Sequence, residues 1–367
     1  LGICRIEVYH VSLDYREPFK IALGVSFETQ NIVVKITTDE GVIGWGEASP
    51  CERVTGENIE TVLKAIGKIA PKLLGMCPLR IEQNIEVMDL AVEGNPSAKA
   101  AIDMALHDIL GKRAREPLFM LMGGYRNTVL TDITLGIKTP KEMAEDAVKA
   151  VKRGFKALKV KVGLNPEEDV ERVKLIREAV GQNVQIRIDA NQGWTPLKAI
   201  KALKKMEEFK VQFAEQPVPA GDIKGLVKVR RESPIPIMAD ESVHSPEDAL
   251  RLIKAEAVDL INIKLMKCGG ILKGKKIAAL AEAAGIACMI GCMGESEIGI
   301  SAGAHLAAAV KNIEYADLDS DLLLKDKLVK RGRIKIRNSM RFFPKTYGLG
   351  IIELETKMLG KPLKVYS

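Results

Sequence analysis

Five short apolar segments each carry a charged residue at their far end, and those residues are the ones able to do chemistry. The segments are ALKVKVG at 157–163, VQIRIDAN at 184–191, VQFAEQP at 211–217, IPIMADES at 235–242 and LINIKLM at 260–266. Their charged ends are Lys161, Asp189, Glu215, Asp240 and Lys264. Neighbouring strand ends lie about 4.8 Å apart, so the three successive acids can converge on one ion. Three hard carboxylate oxygens suit Mg²⁺, with Mn²⁺ as its substitute, better than Zn²⁺, which prefers imidazole and thiolate. Lys159 and Lys161 alternate with Val160 and so share one side of their strand. Two ammonium groups beside each other and beside a cation are expected to lower each other's pKa, as a base working near neutral pH requires. Lys264 follows the acids where Lys159 and Lys161 precede them. The order puts one candidate base on each face of a metal-bound substrate.

The elements that must position these residues are strands. Each segment is β-branched and continuously apolar, the pattern of a parallel strand buried on both faces. From Thr131 the chain alternates eight such strands (TDITLGI, ALKVKV, VQIRIDA, VQFAEQ, IPIMADE, LINIKL, ACMIGC and IEYADLD) with seven helical segments. Those segments lie at 140–153, 166–180, 196–208, 222–232, 246–255, 270–284 and 297–311. Four begin with the same punctuation, Thr139-Pro140, Asn165-Pro166, Thr195-Pro196 and Ser245-Pro246. A side-chain oxygen there accepts an orphan N–H, and proline lacks the donor that would go unpaired. Glu142 and Glu168 stand at capping-box positions. The fold class is α/β, a closed parallel (β/α) barrel of TIM type with its site at the mouth where the strands end.

Ahead of the barrel, CRIEVYHVSL, NIVVKITT and VIGWGEAS read as a β-meander, and helical patterns follow at 57–74, 80–93 and 97–114. This is an α+β capping domain. The stretch 19–30, with Gly24 and Val25, reads as a mobile loop. The expected boundaries are 1–125 for the cap, 126–325 for the barrel and 326–367 for a basic segment closing against both. Its lysines and arginines read as a solvated face, and 353–367 as an added tail.

Composition excludes several classes. The 367 residues are 47% hydrophobic and 28% charged, as in a globular enzyme rather than a disordered chain. A net charge of +7 invites nucleic acid, but aromatics are 4% and no stacking or groove-reading motif is present, so no nucleic-acid partner is expected. Six cysteines show no CxxC and no ligand spacing with the four histidines. They read as free thiols in a reducing, cytoplasmic setting. No apolar run approaches a bilayer-spanning length, so no membrane partner is expected.

The texts KVK at 159–161, DAN at 189–191, EQP at 215–217, DES at 240–242 and NIK at 262–264 resemble the enolase superfamily, in its muconate-lactonizing branch. The resemblance implies a barrel modified at its C-terminal end and a Lys–Mg²⁺ site with one ion. Asp317-Leu318-Asp319 resembles the D-x-D motif of the dipeptide epimerases of the L-Ala-D/L-Glu type, where it would bind a dipeptide's α-ammonium. INIKLMKCGG at 261–270 and MIGCMGESEIG at 289–299 resemble them too, bringing Cys292, Gly294 and Glu297 to the substrate. The implied reaction inverts the C-terminal α-carbon. One of Lys161 and Lys264 would remove the proton, the other would return it to the opposite face, and Lys159 would steady the enediolate. Asn191 and Glu241 would support the ligands beside them. The stretches 19–30 and 51–54 would lid the pocket. Some Ala-Glu epimerases carry an arginine in the first; Gly24 stands at that place here, implying a hydrophobic or uncharged second residue, while Glu297 would admit a cationic one. The resemblance further implies a homo-oligomer. A muconate cycloisomerase or o-succinylbenzoate synthase would use the same lysines and ion, and a non-catalytic metal- or anion-binding barrel would keep only the fold.

Overall fold

The computed structural model describes residues 1–367. Strands β1 (Ile3–Ile21), β2 (Gly24–Thr38) and β3 (Ile43–Ala48) form an antiparallel meander. One face is covered by α1 (Ile59–Leu73), α2 (Ile81–Ala91) and α3 (Pro96–Ala114). The start of α1 is fixed by a capping box between Asn58 and Thr61, and Val62, Ile66, Ile69 and Leu73 bury its apolar stripe. On β3, Gly46 lets α3 approach closely: a methyl group there would stand 2.8 Å from the carbonyl carbon of Ala101.

The stretch 19–30 is not a loop. Its residues continue β1 and β2 into a long hairpin, with Phe19 opposite Ser26, Lys20 opposite Val25 and Ile21 opposite Gly24. FKI and VSFETQ are good strand formers, and only Ala22 and Leu23 turn. A register shift between Asp14 and Phe19 bends the tip over the barrel.

The barrel strands are β4 (Ile133–Leu135), β5 (Ala157–Lys161), β6 (Gln185–Asp189), β7 (Val211–Glu215), β8 (Ile237–Ala239), β9 (Leu260–Lys264), β10 (Ala287–Gly291) and β11 (Ile313–Asp317). They pair in parallel, each with its sequence neighbour. The first and last strands form no ladder, yet Asp132 N–H reaches Ala316 O at 3.3 Å and Leu318 N–H reaches Thr131 Oγ1 at 2.8 Å. The barrel is nearly closed. Around it lie α4 (Pro140–Lys152), α5 (Pro166–Val180), α6 (Pro196–Met206), α7 (Ile223–Glu232), α8 (Pro246–Lys254), α9 (Ile271–Ala283) and α10 (Glu297–Ala309). Thr139, Asn165, Thr195 and Ser245 each accept an N–H of their helix's first turn. Glu142 completes its capping box, whereas Glu168 turns to Arg172 at 2.9 Å. The guanidinium outcompetes the orphan N–H there.

The meander and its helices bury a core of 22 residues, all within 3–109; a second of 75 residues spans the barrel and the segment after it. That last segment is more than a tail. Strand β12 (Lys364–Tyr366) pairs with β1 and becomes the edge of the cap sheet. Nor is its charge all solvated: Arg341 is fully buried on Asp321 at 2.5 Å, whereas Lys330 and Arg331 reach Glu353 on the exposed surface. No helix is long and apolar enough to cross a membrane.

Candidate active site

Side-chain alternation on β5 sends Leu158 and Val160 into the apolar core and Lys159 and Lys161 to the barrel interior. Asp189 and Glu215 close β6 and β7, and Asp240 follows β8 directly. One carboxylate oxygen from each lies within 4.8 Å of the others, and all three residues are buried. Two neighbours adopt left-handed backbone that non-glycine residues rarely accept, Asn191 with φ +40° and Gln216 with φ +34°. The strain is held by hydrogen bonds. Asn191 N–H donates to Asp189 Oδ1 at 2.9 Å, while Gln216 Oε1 accepts the N–H of Asp240 at 2.9 Å and of Ser242 at 3.1 Å.

The lysines interleave with these acids. Lys159 Nζ stands 2.7 Å from Asp317 Oδ2, 2.9 Å from Glu215 Oε2 and 3.1 Å from Asp189 Oδ2. Lys161 Nζ lies 2.6 Å from Asp189 Oδ2 and donates to Asn191 Oδ1 at 3.0 Å. Lys264, across the barrel, lies 2.7 Å from Asp240 Oδ2. Asn191 Nδ2 then donates to Glu241 Oε1 at 3.1 Å.

Electrostatics revises one expectation. Burial opposes the charge of Lys159, but Asp189, Asp317 and Glu215 outweigh it and keep the ammonium well above the ordinary lysine value. Lys264 is likewise raised, burial being outweighed by Asp240. Like-charge repulsion is thus not dominant; carboxylates at 2.7–3.1 Å beat another lysine. Among the acids, burial and Asp189 push Glu215 up to about 8, whereas Lys159 and Lys161 overcome burial and hold Asp189 down to about 2. Three buried carboxylates of such unequal proton affinity compete for positive charge. Glu215 Oε2 also accepts no well-aligned hydrogen bond despite its nearness to Lys159. With no imidazole or thiolate in the set, the donors fit a hard divalent cation such as Mg²⁺.

Asp317 and Asp319 lie beside Lys159 and Thr134 at the end of β11. Thr134 N–H donates to Asp319 Oδ2 at 2.6 Å. Burial and Asp317 push the Asp319 carboxyl up to about 7, while Lys159 and Lys161 overcome burial and keep Asp317 below its usual range. Cys292 Sγ is 3.9 Å from Asp319 Oδ1, and Gly294 meets the hairpin at Tyr15 and Thr29. These groups, with Lys159, Lys161, Lys264, Asn191 and Glu241, line one cavity of about 620 Å³ between barrel and cap.

Three expected substrate contacts, Glu297, Val25 and Gly24, do not line the cavity. Glu297 is buried away from the cavity, where its Oε2 accepts the N–H of Leu328 at 3.0 Å and of Val329 at 3.4 Å. Its carboxylate satisfies backbone donors that would otherwise be orphaned. Val25 is 42% exposed on the hairpin tip and does not line the cavity.

Sequence reasoning missed several neighbours. Asn262 Nδ2 donates to Glu215 Oε1 at 2.8 Å; its place two residues before Lys264 could have marked it, since alternation puts both on one face. Lys267 is buried against Asp240 Oδ1 at 2.5 Å. Asp132 joins Asp317 and Asp319 in a second acidic cluster, balanced by Arg187 at 2.7 Å. Glu47 crosses from cap to barrel and accepts from Asn31, Ser296 and Gly299 at 2.8–3.1 Å. No local pattern marks these long-range partners.

Comparison with known proteins agrees with this geometry. Residues 4–123 match the mandelate racemase/muconate lactonizing enzyme N-terminal domain, and residues 142–356 match the enolase C-terminal domain-like family. The chain is 46% identical over 352 residues to a hydrophobic dipeptide epimerase of Enterococcus faecalis, covering 96% of this chain and 99% of that one. It is also 46% identical over 321 residues to an L-Ala-D/L-Glu epimerase of Clostridium acetobutylicum, covering 87% and 90%. A crystal structure of a dipeptide epimerase from E. faecalis, complexed with Mg and L-Leu-L-Tyr, superposes with a TM-score of 0.94 at 45% identity, covering 96% of this chain and all of that one.

Proposed function

This chain belongs to the mandelate racemase/muconate lactonizing enzyme branch of the enolase superfamily, and on that premise we propose that it is a Mg²⁺-dependent dipeptide epimerase. The observation that carries the reading is the pairing of two opposed lysines, Lys161 and Lys264, with an acidic pair, Asp317 and Asp319, in one cavity. A muconate or succinylbenzoate offers no cation for that pair, so two buried carboxylates would repel it. A dipeptide offers its α-ammonium.

In this mechanism Asp189, Glu215 and Asp240 hold the ion, which when bound neutralises charge building on the substrate carboxylate. Asp317 and Asp319 grip the ammonium, fixing the C-terminal α-carbon between the two bases. One of Lys161 and Lys264, as the free amine, takes the α-proton; the other, as the ammonium, returns a proton to the opposite face. Lys159, held charged by its carboxylates, faces the developing enediolate charge. Asn191 orients Lys161 and ties it to Glu241. Six free cysteines support a reducing, cytoplasmic setting.

The test is α-proton exchange in D₂O on pooled L,L-dipeptides with Mg²⁺, read by mass spectrometry. One deuterium gained at the C-terminal residue, lost on adding EDTA, is the expected result. Turnover of a muconate or a succinylbenzoate precursor, with no dipeptide exchanging, would overturn it.

A further inference from the structure

Arg53, on the short helix Glu52–Thr55, lays its guanidinium against the hairpin tip at Gly24. A side chain at Gly24 would put its Cβ 2.7 Å from Arg53 Cζ and 2.8 Å from Nη2. Gly24 has φ +140°, a conformation suited to glycine, so the tip is built without a side chain where the guanidinium sits. The expectation of an uncharged second residue rested on Gly24 supplying no arginine. The space over Gly24 holds an arginine's guanidinium all the same, delivered from a different element.

Arg53 lines the same cavity as the lysines and the acidic pair. The acids around the outer wall are engaged elsewhere. Glu28 accepts from Ser12 at 2.7 Å and Gln30 at 2.6 Å, and Glu52 accepts from Asn58 at 2.8 Å. Glu57 accepts the Ser97 N–H at 3.1 Å, and Glu60 pairs with Lys64 at 2.6 Å. No carboxylate of the protein lies within ion-pair distance of Arg53, which leaves a fork of donors facing the cavity.

The hairpin also tells which end of a substrate meets it. Its stem, at Tyr15 and Thr29, packs on Gly294 and lies by Cys292 and Asp319, over the ammonium site. Its tip lies over the start of the barrel: Lys20 O accepts the Ile137 N–H at 2.8 Å, and a methyl on Gly163 would stand 3.1 Å from Ala22 Cβ. Gly163 is two residues past Lys161. The tip, and Arg53 with it, therefore covers the side of the cavity where the reacting carbon lies.

We propose that Arg53 reads the side chain of the residue being inverted, and that this side chain carries a carboxylate. The inference rests on the epimerase reading and specifies its substrate class. The two relatives that are equally identical to this chain are named for hydrophobic and for Glu-containing dipeptides, so identity does not choose between them.

The experiment measures kcat/KM for L-Ala-L-Glu, L-Ala-L-Leu and L-Glu-L-Ala with the Mg²⁺-loaded wild type, Arg53→Leu and Arg53→Lys. Wild type should favour L-Ala-L-Glu over L-Ala-L-Leu by about tenfold to a hundredfold, the scale of one charge-assisted contact. Most of this lies in KM and shrinks with added salt. Arg53→Leu should reverse the order and Arg53→Lys should keep it. Faster turnover of L-Ala-L-Leu by the wild type, or an unchanged preference in Arg53→Leu, would overturn the proposal. A preference for L-Glu-L-Ala would overturn the assignment to the inverted residue. Exchange on none of the three, with other dipeptides active, also defeats it while leaving the epimerase reading intact; exchange on no dipeptide defeats both.

Discussion

Lys161 Nζ lies 2.6 Å from Asp189 Oδ2, so a residue proposed as a base is held by a residue proposed to bind the ion. Lys264 and Asp240 repeat the arrangement across the barrel at 2.7 Å. An ion drawing on both carboxylates would weaken their hold on the lysines, making each a better base once loaded. Base strength and metal occupancy are thereby linked.

Removing either lysine should therefore stop epimerisation without stopping all exchange. Lys161→Ala and Lys264→Ala should each lower epimerisation by roughly 10³-fold, the scale of one positioned proton-transfer group. Each variant should still exchange deuterium into the single epimer whose α-hydrogen faces the remaining lysine, and the two variants should be complementary. Proton NMR in D₂O on both epimers decides this. Exchange of both epimers by Lys161→Ala would remove that lysine from the mechanism.

The acidic pair gives a pH signature. Asp319 titrates near 7 in the free site, so below that pH it is protonated and an incoming ammonium meets less negative charge. As pH rises through 7 the second charge appears and binding strengthens. The prediction is that kcat/KM for a dipeptide rises between pH 6 and 8 more steeply in wild type than in Asp319→Asn. That variant should also carry a KM raised by roughly tenfold or more at pH 8. Equal slopes in the two proteins would assign the titration to another group.

Much of this site is legible in the sequence because the barrel is a repeat. One strand–helix interval separates each acid from the next, and side-chain alternation fixes which residues face inward, so Lys159, Lys161, Asp189, Glu215, Asp240 and Lys264 are found from text alone. The helix starts are equally readable, since Thr139, Asn165, Thr195 and Ser245 act on their own first turns. What escapes is contact at long sequence separation. Glu297 sits at a helix start near the cavity, yet its carboxylate is committed to Leu328 and Val329. The Arg53–Gly24 contact depends on where a hairpin bends over a neighbouring helix, which no local pattern encodes. The strand at Lys364–Tyr366 likewise shows only through its pairing with the first strand, since Val365 and Tyr366 suit a strand but three residues are too short a run to mark one.

Lys267 should orient the ion site rather than do chemistry. Its ammonium contacts the carbonyl and the Oδ1 of Asp240 and donates to Asn262 O at 3.2 Å, which leaves Oδ2 directed to the cluster. Two effects oppose each other in Lys267→Met. Losing a buried positive charge favours a cation nearby, whereas losing the anchor lets Asp240 turn. We expect orientation to prevail, with Mg²⁺ affinity falling by roughly tenfold to a hundredfold, as when outer partners of metal ligands are removed. Titration calorimetry with Mg²⁺ alone measures it. Tighter binding would show that charge, not geometry, governs the site.

His305 should make the barrel acid-sensitive. It is fully buried between Phe119 and Phe343, its Nδ1 accepts the Phe119 N–H at 3.1 Å, and burial lowers its pKa from 6.5 to about 3. The unfolded chain takes up a proton near the ordinary histidine value, whereas the folded chain does not until far lower pH. The associated stability is therefore present above about pH 6.5 and is lost as pH falls toward 3. Between pH 6.5 and 5 the loss amounts to about 2 kcal/mol. In His305→Leu that slope should vanish, while at pH 7.5 the variant should be less stable by about 1–3 kcal/mol, because the buried Phe119 N–H loses its acceptor. Urea unfolding of both proteins at pH 7.5 and 5 separates the two effects: the gap between them should narrow in acid. A gap that stayed constant would mean that His305 takes up a proton as readily in the folded protein as in the unfolded chain, which its apolar, aromatic surroundings oppose.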